Sequence, residues 1–568
     1  MPEGKHVKVV EVNQSEAEQI LGAVKASLDP DKYEKLSAIV HGYIYVLGVL
    51  RAKGTAIKRL RKLIFGSGSE KTGQLFPEQK SKTCADDSAA QKQAAGQAEA
   101  KEEKPKRKGH GRNAAASYPG AKRIGVPHAT LKPGDNCPGC LKGKLYEQTH
   151  PAVIVRIVGQ APLAATLWEL ERLRCNLCGE VFTAETPEQV GPDKYDESAA
   201  AMIAMLRYGS GTPSYRLANL QQSLGIPLPY STQWDIVHGK KAAIEPVFKE
   251  LIKQAANAEL FHNDDTTMKV LSLMGKSQQA GEQEEPPHPE ADEDKDADGS
   301  EKRKGIFTSG IVALSGGRKI ALYFTGHRHA GENLRQVLLQ RAKGLGPPMQ
   351  MCDGLSRNEP KNLPEALKTI LGNCNAHARR RFVEVAHDFP EECLHVLQEL
   401  SKVYNNDEVA RRLKMTDGHR LLFHQAESGP VMGRLKKWMK GQLGEKKVEP
   451  NGGLGEAIGY TLKRWRKLVL FLRVPGAPLD NNAVERALKK LILLRKNSLF
   501  YKTQNGALVG DMYMSLIHTA ELCRANVFQY LVALMRYADT VAKTPGDWMP
   551  WNYTGALGRL TSSVDPPR

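Results

Sequence analysis

Hydrophobic and polar residues follow a strand-like rhythm in the central part of the chain. Four segments there combine short apolar runs and partial alternation with many branched and aromatic residues: 259–274, 305–316, 318–326 and 347–355. Such segments are typical of β-strands. Between the third and fourth segments, GENLRQVLLQRAKG has the three-four spacing of a helix. The order of three strands, a helix and a further strand predicts a domain of the α/β class.

Helical spacing is found on both sides of this domain. In the region 15–66, apolar residues recur at intervals of three and four, a zipper-like pattern that favours either self-association or packing within the chain. Residues 360–474 also predict helices, as an insertion into the domain, and we expect 541–568 to be a C-terminal tail.

The region 195–256 predicts a pair of helices joined by a short turn. The first helix covers 215–224, the turn begins at Gly225, and Ser231 is expected to cap the second helix. This arrangement has the form of a DNA-binding helix-turn-helix, although ordinary helical cores also contain such pairs. The pattern alone leaves both interpretations open.

Two further segments contain few large apolar residues. Residues 67–122 have the composition of a flexible linker and end in the basic run KEEKPKRKGHGR. Residues 281–305 are mostly acidic and interrupt two predicted strands, so we expect a disordered excursion from the edge of the sheet. Mimicry of DNA by this acidic segment is the alternative.

Composition and charge narrow the classes of protein. The chain has 568 residues, enough for several domains, and its 81 Lys and Arg exceed its 63 Asp and Glu, for a formal charge of +18. This balance favours association with nucleic acid, although a merely cationic soluble protein has the same composition. No apolar run approaches the roughly 18 residues of a membrane span, and the N-terminal sequence lacks a signal-peptide pattern. We expect an intracellular, cytoplasmic protein without a membrane partner.

Four of the nine cysteines form two CxxC pairs: Cys137, Cys140, Cys175 and Cys178. Two such pairs supply the four sulfur ligands of a tetrahedral structural Zn²⁺ site. The intervening segments alternate like strands, so residues 123–190 predict a zinc ribbon. Its basic residues Arg156, Arg172 and Arg174 are candidates for contact with DNA, and a purely structural module is the alternative.

Three acids are candidates for a catalytic metal site: Asp264, Asp353 and Glu485. The first lies in the first predicted strand, the second at the end of the fourth, and Glu485 in the first turns of a basic helix within 478–500. A glutamate in the first turn of a helix is by itself explained by the helix dipole. Three carboxylates brought together from two strands and a helix, however, suit Mg²⁺ or Mn²⁺.

Seven segments, in this order, resemble one protein family: LIFGSGSEKTGQLF, the CPGC and CNLC pairs, MLRYGSGTPSYRLANLQQSLGIPLPYSTQWDIV, HNDDTTMKVL, MCDGL, CNAHARRRF and LDNNAVERAL. The chain is similar along nearly its whole length to the large transposases of the bacterial insertion-sequence family sixty-six, which are DDE transposases. The resemblance implies a ribonuclease-H-like core at 257–359 and 475–540, interrupted by the helical insertion. It also implies that Asp264, Asp353 and Glu485 bind magnesium. Because the family usually has Asp-Glu-Thr at 264–266, Asp265 is the alternative first ligand.

The same resemblance implies metal-dependent DNA cleavage at transposon ends and strand transfer into target DNA by a nucleoid-associated protein. It further implies homo-oligomers and small accessory proteins of the same element as partners. A DNA-binding regulator without catalytic activity and a nuclease of the same fold are the alternatives. The candidates for contact with DNA are Arg379, Arg380, Arg486, Arg495, Lys496 and His377. These cations, together with Arg381, are also candidates for charge stabilisation at the site, and each is otherwise explained as a surface cation. His377 is otherwise explained as a hydrogen-bonded histidine in a helix.

Overall fold

The computed structural model describes residues 193–274 and 305–562 continuously, with shorter pieces at 19, 21–24, 29–37, 40, 130–136, 138, 140, 142–146, 160–174, 176 and 181–191. In the predicted zipper region, 21–24 and 30–37 are helical. The other zipper positions, the linker at 67–122 and the acidic residues 281–304 lie outside the described residues. The predictions for those segments stay predictions.

Seven strands are described, and five of them form a mixed sheet. In chain order the strands are β1 (Arg172–Arg174), β2 (Val181–Thr183), β3 (Leu260–Thr267), β4 (Phe307–Ser315), β5 (Arg318–Gly326), β6 (Met349–Cys352) and β7 (Ile370–Asn373). The sheet has the order β5-β4-β3-β6-β7, with β3 antiparallel to β4, β4 antiparallel to β5, and β6 and β7 parallel to β3. The four strands and the intervening helix expected from the alternation pattern are therefore confirmed.

Helices account for most of the remaining described chain. They are α1 (Glu197–Ala204), α2 (Ser214–Ser223), α3 (Tyr230–Gly239), α4 (Lys241–Ala256), α5 (Ala330–Leu338), α6 (Asn375–Val385), α7 (Pro390–Arg412), α8 (Asp417–Gly444), α9 (Gly453–Lys463), α10 (Trp465–Leu468), α11 (Asn482–Ser498), α12 (Gln504–Leu522), α13 (Val527–Arg536), α14 (Ala538–Lys543) and α15 (Tyr553–Ser562). In the described part of the chain, no helix is both long enough and apolar enough to cross a membrane.

The two predicted helices of the helix-turn-helix region are present as α2 and α3. Gly225, with φ of +75°, lies in the turn between them. The expected cap is wrong, however, because α3 begins at Tyr230 after Pro229, and Ser231 lies inside the helix. Proline is well suited to this position because its ring fixes φ near the helical value.

The edge strand β5 is covered by a polar stripe on α12. Asp511, Ser515 and Thr519 are spaced four residues apart and so share one face of this helix. Their side-chain oxygens accept hydrogen bonds from the backbone N–H groups of Thr325 (2.7 Å), Tyr323 (3.0 Å) and Ala321 (3.0 Å), in that order. An uncovered edge strand exposes a row of unpaired backbone groups, and α12 satisfies those of β5.

One hydrophobic core joins the sheet to the helices before and after it. Tyr208, in the predicted helix-turn-helix region, stacks on Tyr513 with ring centroids 5.5 Å apart. Trp548 and Met549, in the predicted tail, are at most 1% exposed and belong to the same buried cluster. The prediction of a tail at 541–568 is therefore wrong as far as residue 562, because its aromatic residues complete this core.

The described chain divides into two compact units. The smaller unit contains 378–403 and 434–459, with described residues from the N-terminal part, and the larger unit contains the sheet together with 404–433 and 460–562. The predicted helical insertion at 360–474 is thus shared between the two units and also includes a strand, β7. The strand β7 has only four residues, and two of them, Gly372 and Asn373, have low strand propensity. Its conformation therefore depends on its parallel pairing with β6.

Short hairpins surround the paired cysteines. The connection between β1 and β2 contains Cys175 and Cys178, and an antiparallel bridge between Asn136 and Lys144 encloses the CPGC pair. Within it, the N–H of Gly143 donates to Cys140 Sγ over 3.4 Å. Cys137, Cys175 and Cys178 lie outside the described residues, so the zinc ribbon stays a prediction.

Candidate active site

The parallel pairing of β3 with β6 brings Asp264 and Asp353 to adjacent positions. Leu260 pairs with Met349 and His262 with Met351, and continuing the same register by two residues aligns Asp264 with Asp353. Asp264 lies within β3, whereas Asp353 follows the last residue of β6 and is 8% exposed. The two acids that the sequence predicted on separate strands therefore meet.

A single asparagine side chain spans these two carboxylates. Asn358 Nδ2 donates to Asp353 Oδ1 over 2.6 Å and to Asp264 Oδ1 over 3.1 Å. Asn358 is fully buried, and its backbone oxygen accepts from Asn263 Nδ2 and Gln350 Nε2, each at 2.8 Å. These two hydrogen bonds fix the backbone of Asn358. Its side-chain amide donates its two hydrogens to the two carboxylates.

The electrostatic environment of Asp264 disfavours its charged form. Burial raises the pKa of Asp264 well above its usual value, and the neighbouring carboxylates of Asp353 and Asp265 raise it further. Two carboxylates that share a site cannot both ionise at ordinary cost unless a cation compensates them. This pair is consequently suited to a divalent cation.

Asp265 faces the opposite side of the sheet from Asp264, as alternation along a strand requires. Its carboxylate accepts from His329 Nδ1 (2.9 Å) and lies 3.7 Å from Arg357 Nη2. The N–H of Ala330, at the start of α5, is 3.4 Å from the same carboxylate. Asp265 is thus engaged by basic groups and a helix N-terminus, and of the two candidates for first ligand only Asp264 contacts the Asp353 network.

The helix that carries Glu485, α11, is fixed to β3 by Asn481. Asn481 occupies the N-cap position, yet its side chain makes no capping bond. Instead its Nδ2 donates to the backbone oxygen of Asn263 (3.1 Å), and its Oδ1 lies 3.1 Å from His262 Nδ1. Because burial lowers the pKa of His262 to about 4, the ring is neutral and donates its Nδ1 hydrogen to Asn481.

A glycine on β4 lets α11 approach the sheet beside Asp264. Gly310 pairs with Asp264, and a Cβ at Gly310 would meet Leu488 Cδ2 at 2.8 Å and Val484 Cγ2 at 3.3 Å. Directly opposed residues of an antiparallel pair point to the same face of the sheet. Asp264 therefore points to the face that α11 covers, and Glu485 follows Val484 directly on that helix.

Within the described residues, Glu485 lies beside a histidine and a cysteine. His377 Nδ1 is 3.6 Å from Glu485 Oε1, and Cys374 completes a group whose potential ligand atoms all lie within 4.8 Å of one another. His377 comes from the first turn of α6 and Cys374 from the residue between β7 and α6. The spacing of Cys374 to Cys352 is not that of a CxxC pair, so the sequence pattern does not predict a metal ligand at Cys374.

Gly354, which follows Asp353, is in contact with Arg464 and close to Tyr460. Arg464 Nη2 donates to the backbone oxygen of Gly354 over 2.8 Å, and its guanidinium lies 4.0 Å from the ring centroid of Tyr460. A Cβ at Gly354 would meet Tyr460 Oη at 2.6 Å. Only glycine fits after Asp353, and this cation lies next to the acid pair.

The cationic residues predicted to contact DNA differ in exposure and in hydrogen-bond partners. Arg486 and Lys496 are exposed on α11, whereas Arg495 donates to Thr266 Oγ1 (3.1 Å) and Thr267 Oγ1 (2.7 Å). Arg495 thus joins the end of α11 to the end of β3. The other predicted cations, Arg379, Arg380 and Arg381, are half-buried on α6.

Sequence reasoning missed the asparagines that organise the site. Asn263, Asn358, Asn373, Asn375 and Asn481 are each at most 4% exposed. Buried asparagine is uncommon and normally has hydrogen-bond partners. Three of them directly precede or lie beside predicted functional residues, in HNDD, CNAH and DNNAVE, and this was the signal in the sequence.

Several known proteins are similar to this chain in sequence. Uncharacterized protein y4hP of Sinorhizobium fredii (strain NBRC 101917 / NGR234) is 26% identical over 403 residues, which cover 68% of this chain and 67% of that protein. Uncharacterized protein y4jD of the same strain is 30% identical over 203 residues, or 35% and 39% of the two chains. No solved structure matches the chain. The sequence profile described as Transposase IS66 family matches residues 194–508, more than half of the chain and all three acids, so the chain belongs to the IS66 transposase family.

Proposed function

We propose that the protein is a DDE transposase that cleaves DNA at transposon ends and joins them to target DNA in a metal-dependent reaction. The observation that supports this most directly is the Asn358 amide between Asp264 and Asp353. These carboxylates come from β3 and the end of β6, and α11 brings Glu485 to the same face of the sheet. Membership of the transposase family makes DNA the expected substrate.

The five-stranded sheet supports a ribonuclease-H-like core. The three antiparallel strands β3, β4 and β5 are followed by α5 and by two strands parallel to β3. This is the element order that the resemblance implies for such a core, with the first acid on the first strand and the second at the end of the fourth. The core would then be completed by α11, which carries the third acid.

The residues present fit a divalent metal. Among the described residues, Asp264 and Asp353 have no cationic partner in their shared network, and Glu485 Oε1 is buried without a hydrogen bond. Hard oxygen ligands of this kind suit Mg²⁺ or Mn²⁺. When bound, such an ion would supply activation of the attacking oxygen and stabilisation of charge on the phosphate. Asp264, Asp353 and Glu485 would hold it, and Arg464 would add positive charge beside Asp353.

DNA binding outside the acid site is also proposed for two modules. The hairpins at 130–146 and 172–183 each contain a CxxC pair, as expected for a zinc ribbon. The pair α2 and α3 has the length and glycine turn of a helix-turn-helix. Of the candidate cations, the exposed Arg486 and Lys496 are the better supported contacts with phosphate, because Arg495 is occupied by β3.

The experiment that tests this function is strand transfer by the purified full-length protein, with labelled element ends, target DNA and Mg²⁺ or Mn²⁺. The wild type is compared with Asp264→Asn, Asp353→Asn and Glu485→Gln. Asp265→Asn is the matched control, because it removes the adjacent carboxylate on the other face of the sheet. We expect each of the first three substitutions to abolish joining and the control to retain it.

Three results would contradict the proposal. Joining that survives Glu485→Gln would remove the third acid from the site. Cleavage without any joined product, even with pre-cleaved ends, would indicate a nuclease. A reaction lost in Asp265→Asn but kept in Asp264→Asn would move the site to the opposite face of the sheet.

A further inference from the structure

Cys374, His377 and Glu485 bring three different kinds of metal ligand together. Their thiol, imidazole and carboxylate atoms lie within 4.8 Å of one another. They come from the junction of β7 and α6 and from the first turn of α11, two places that Asn481 ties together by donating its backbone N–H to Cys374 Sγ over 3.2 Å. The group is therefore held by the fold and does not depend on a surface loop.

Two atoms of this group are buried and have no hydrogen-bond partner in the part of the chain that the structure describes. They are His377 Nδ1 and Glu485 Oε1, which face each other over 3.6 Å. A buried polar atom without a partner costs about 1–3 kcal/mol, and each such atom in a native structure calls for an explanation. A cation bound by both atoms would satisfy both at once.

The surroundings of Cys374 suit a metal-bound sulfur. Its Sγ accepts the backbone N–H groups of Asn481 and His377, which are donors that stabilise a thiolate. Without a cation, burial raises the pKa of Cys374 to about 12 and the thiol is neutral. A coordinated divalent ion deprotonates a thiol outright, so this burial does not prevent binding.

The donor set selects the kind of metal. Tetrahedral zinc has bonds of about 2.0–2.1 Å to nitrogen and oxygen, which place these two ligand atoms about 3.3–3.4 Å apart. His377 Nδ1 and Glu485 Oε1, which are 3.6 Å apart, need only a small shift to reach this separation. A thiolate with an imidazole favours zinc over magnesium, and three protein ligands leave one position open.

The geometry points to a zinc(II) site formed by Cys374, His377 and Glu485, separate from the site of the CxxC pairs. If the proposed function holds, a second consequence follows for the same carboxylate. Glu485 cannot serve zinc beside His377 and magnesium beside Asp264 with the same oxygen, so zinc bound here withdraws the third acid. Zinc would then inhibit the reaction through a site built into the catalytic face.

The direct test is the number of zinc ions bound per chain. Full-length protein is brought to equilibrium with micromolar zinc(II), and bound zinc is measured by elemental analysis. We expect the wild type to bind one more equivalent than Cys374→Ser or His377→Gln. Cys352→Ser is the matched control, since Cys352 is also buried near Asp353 but lies outside the group, and it should bind as much zinc as the wild type.

Equal zinc counts in the wild type and in folded Cys374→Ser would overturn the site. Folding of each variant is checked by circular dichroism. Cobalt(II) gives an independent spectroscopic readout, because a cobalt–thiolate charge-transfer band should appear in the wild type and in Cys352→Ser and weaken in Cys374→Ser. An unchanged band in Cys374→Ser would also overturn it.

The inhibitory consequence is measured separately, as the ratio of joining with and without zinc at constant magnesium. We expect zinc to lower joining by about tenfold or more in the wild type, the size of effect that changes around a metal site produce, and much less in Cys374→Ser. Equal inhibition in both proteins would overturn this consequence. Failure of joining under all conditions would contradict the proposed function, whereas the zinc count would still decide the site.

Discussion

Asp264 is half-buried and Asp407 is buried, and the neighbours of these two aspartates differ in charge. Asp407 accepts from Arg420 Nη2 (2.7 Å), Arg411 Nε (3.1 Å) and His424 Nε2 (3.2 Å). Asp264 has another acid, Asp353, and the neutral amide of Asn358 as its neighbours.

The pKa values of the two acids move in opposite directions. Burial acts to raise the pKa of Asp407, but the hydrogen bond from His424 and the charge of Arg420 outweigh it and hold the value at about 2. Burial and two carboxylates raise the pKa of Asp264. Asp407 is thus compensated by cations of the chain, whereas the described residues supply no such compensation to Asp264, as expected of the proposed metal ligand.

The largest expected effect concerns activity. Asp264→Asn should lower metal-dependent strand transfer by more than about a thousandfold, because a lost ligand removes charge stabilisation at the reacting phosphate. The same substitution should leave the free energy of unfolding equal or slightly higher, since it relieves the repulsion with Asp353. Joining assays and urea unfolding of one preparation measure both quantities. A folded, fully active Asp264→Asn protein would contradict the metal-binding role proposed for Asp264.

Asp407→Asn should show the reverse behaviour. Removing this carboxylate leaves Arg420 and the fully buried His424 without their common partner, and breaking such a buried pair costs about 3–5 kcal/mol. Urea unfolding should detect this loss, while strand transfer by the fraction that remains folded should stay near the wild-type level. Unchanged stability would mean that the cations around Asp407 contribute nothing to the fold.

Asp511 is a further acid, and it is buried. It tests whether neighbouring cations cause the difference in pKa between Asp264 and Asp407. Of the described residues, only Thr325 donates hydrogen bonds to the Asp511 carboxylate, and burial raises its pKa to about 7. The folded protein then binds a proton that the unfolded chain, with a pKa near 3.8, has released, so stability should fall as pH rises from about 4 to about 7. The decrease from this group is at most about 4 kcal/mol. Melting temperatures of the wild type and Asp511→Asn across this range measure it, and equal slopes would contradict the assignment.

The smallest effect is expected for Asn358→Ala. This substitution removes the donor shared by Asp264 and Asp353 and should lower the stability of the metal-free protein by about 1–3 kcal/mol. Added Mg²⁺ should restore the loss, because a cation replaces the amide between the carboxylates. The rise in melting temperature with Mg²⁺ should therefore be larger in Asn358→Ala than in the wild type. A smaller rise would show that Asn358 is needed to bind the metal.

Much of this architecture was predictable from local patterns. The strands β3, β4, β5 and β6 follow from alternation, and the double glycine Gly316–Gly317, with φ of +53° and +77°, is the two-residue turn expected between β4 and β5. The strand β7 and the helices after residue 541 were not predictable in this way. Their conformations depend on a neighbouring strand and on a core assembled from distant segments.

The sequence by itself determined the strand rhythm and the basic charge, because side-chain periodicity and composition are local properties, whereas the three acids are a prediction from the family resemblance. Only the tertiary structure decided that Asp264 and not Asp265 shares a donor with Asp353, and that Glu485 lies beside Cys374 and His377. The strand register and the docking of α11 through Asn481 join residues 89 to more than 200 positions apart. Contacts of that kind arise from packing and hydrogen bonding across the fold, which no local pattern records.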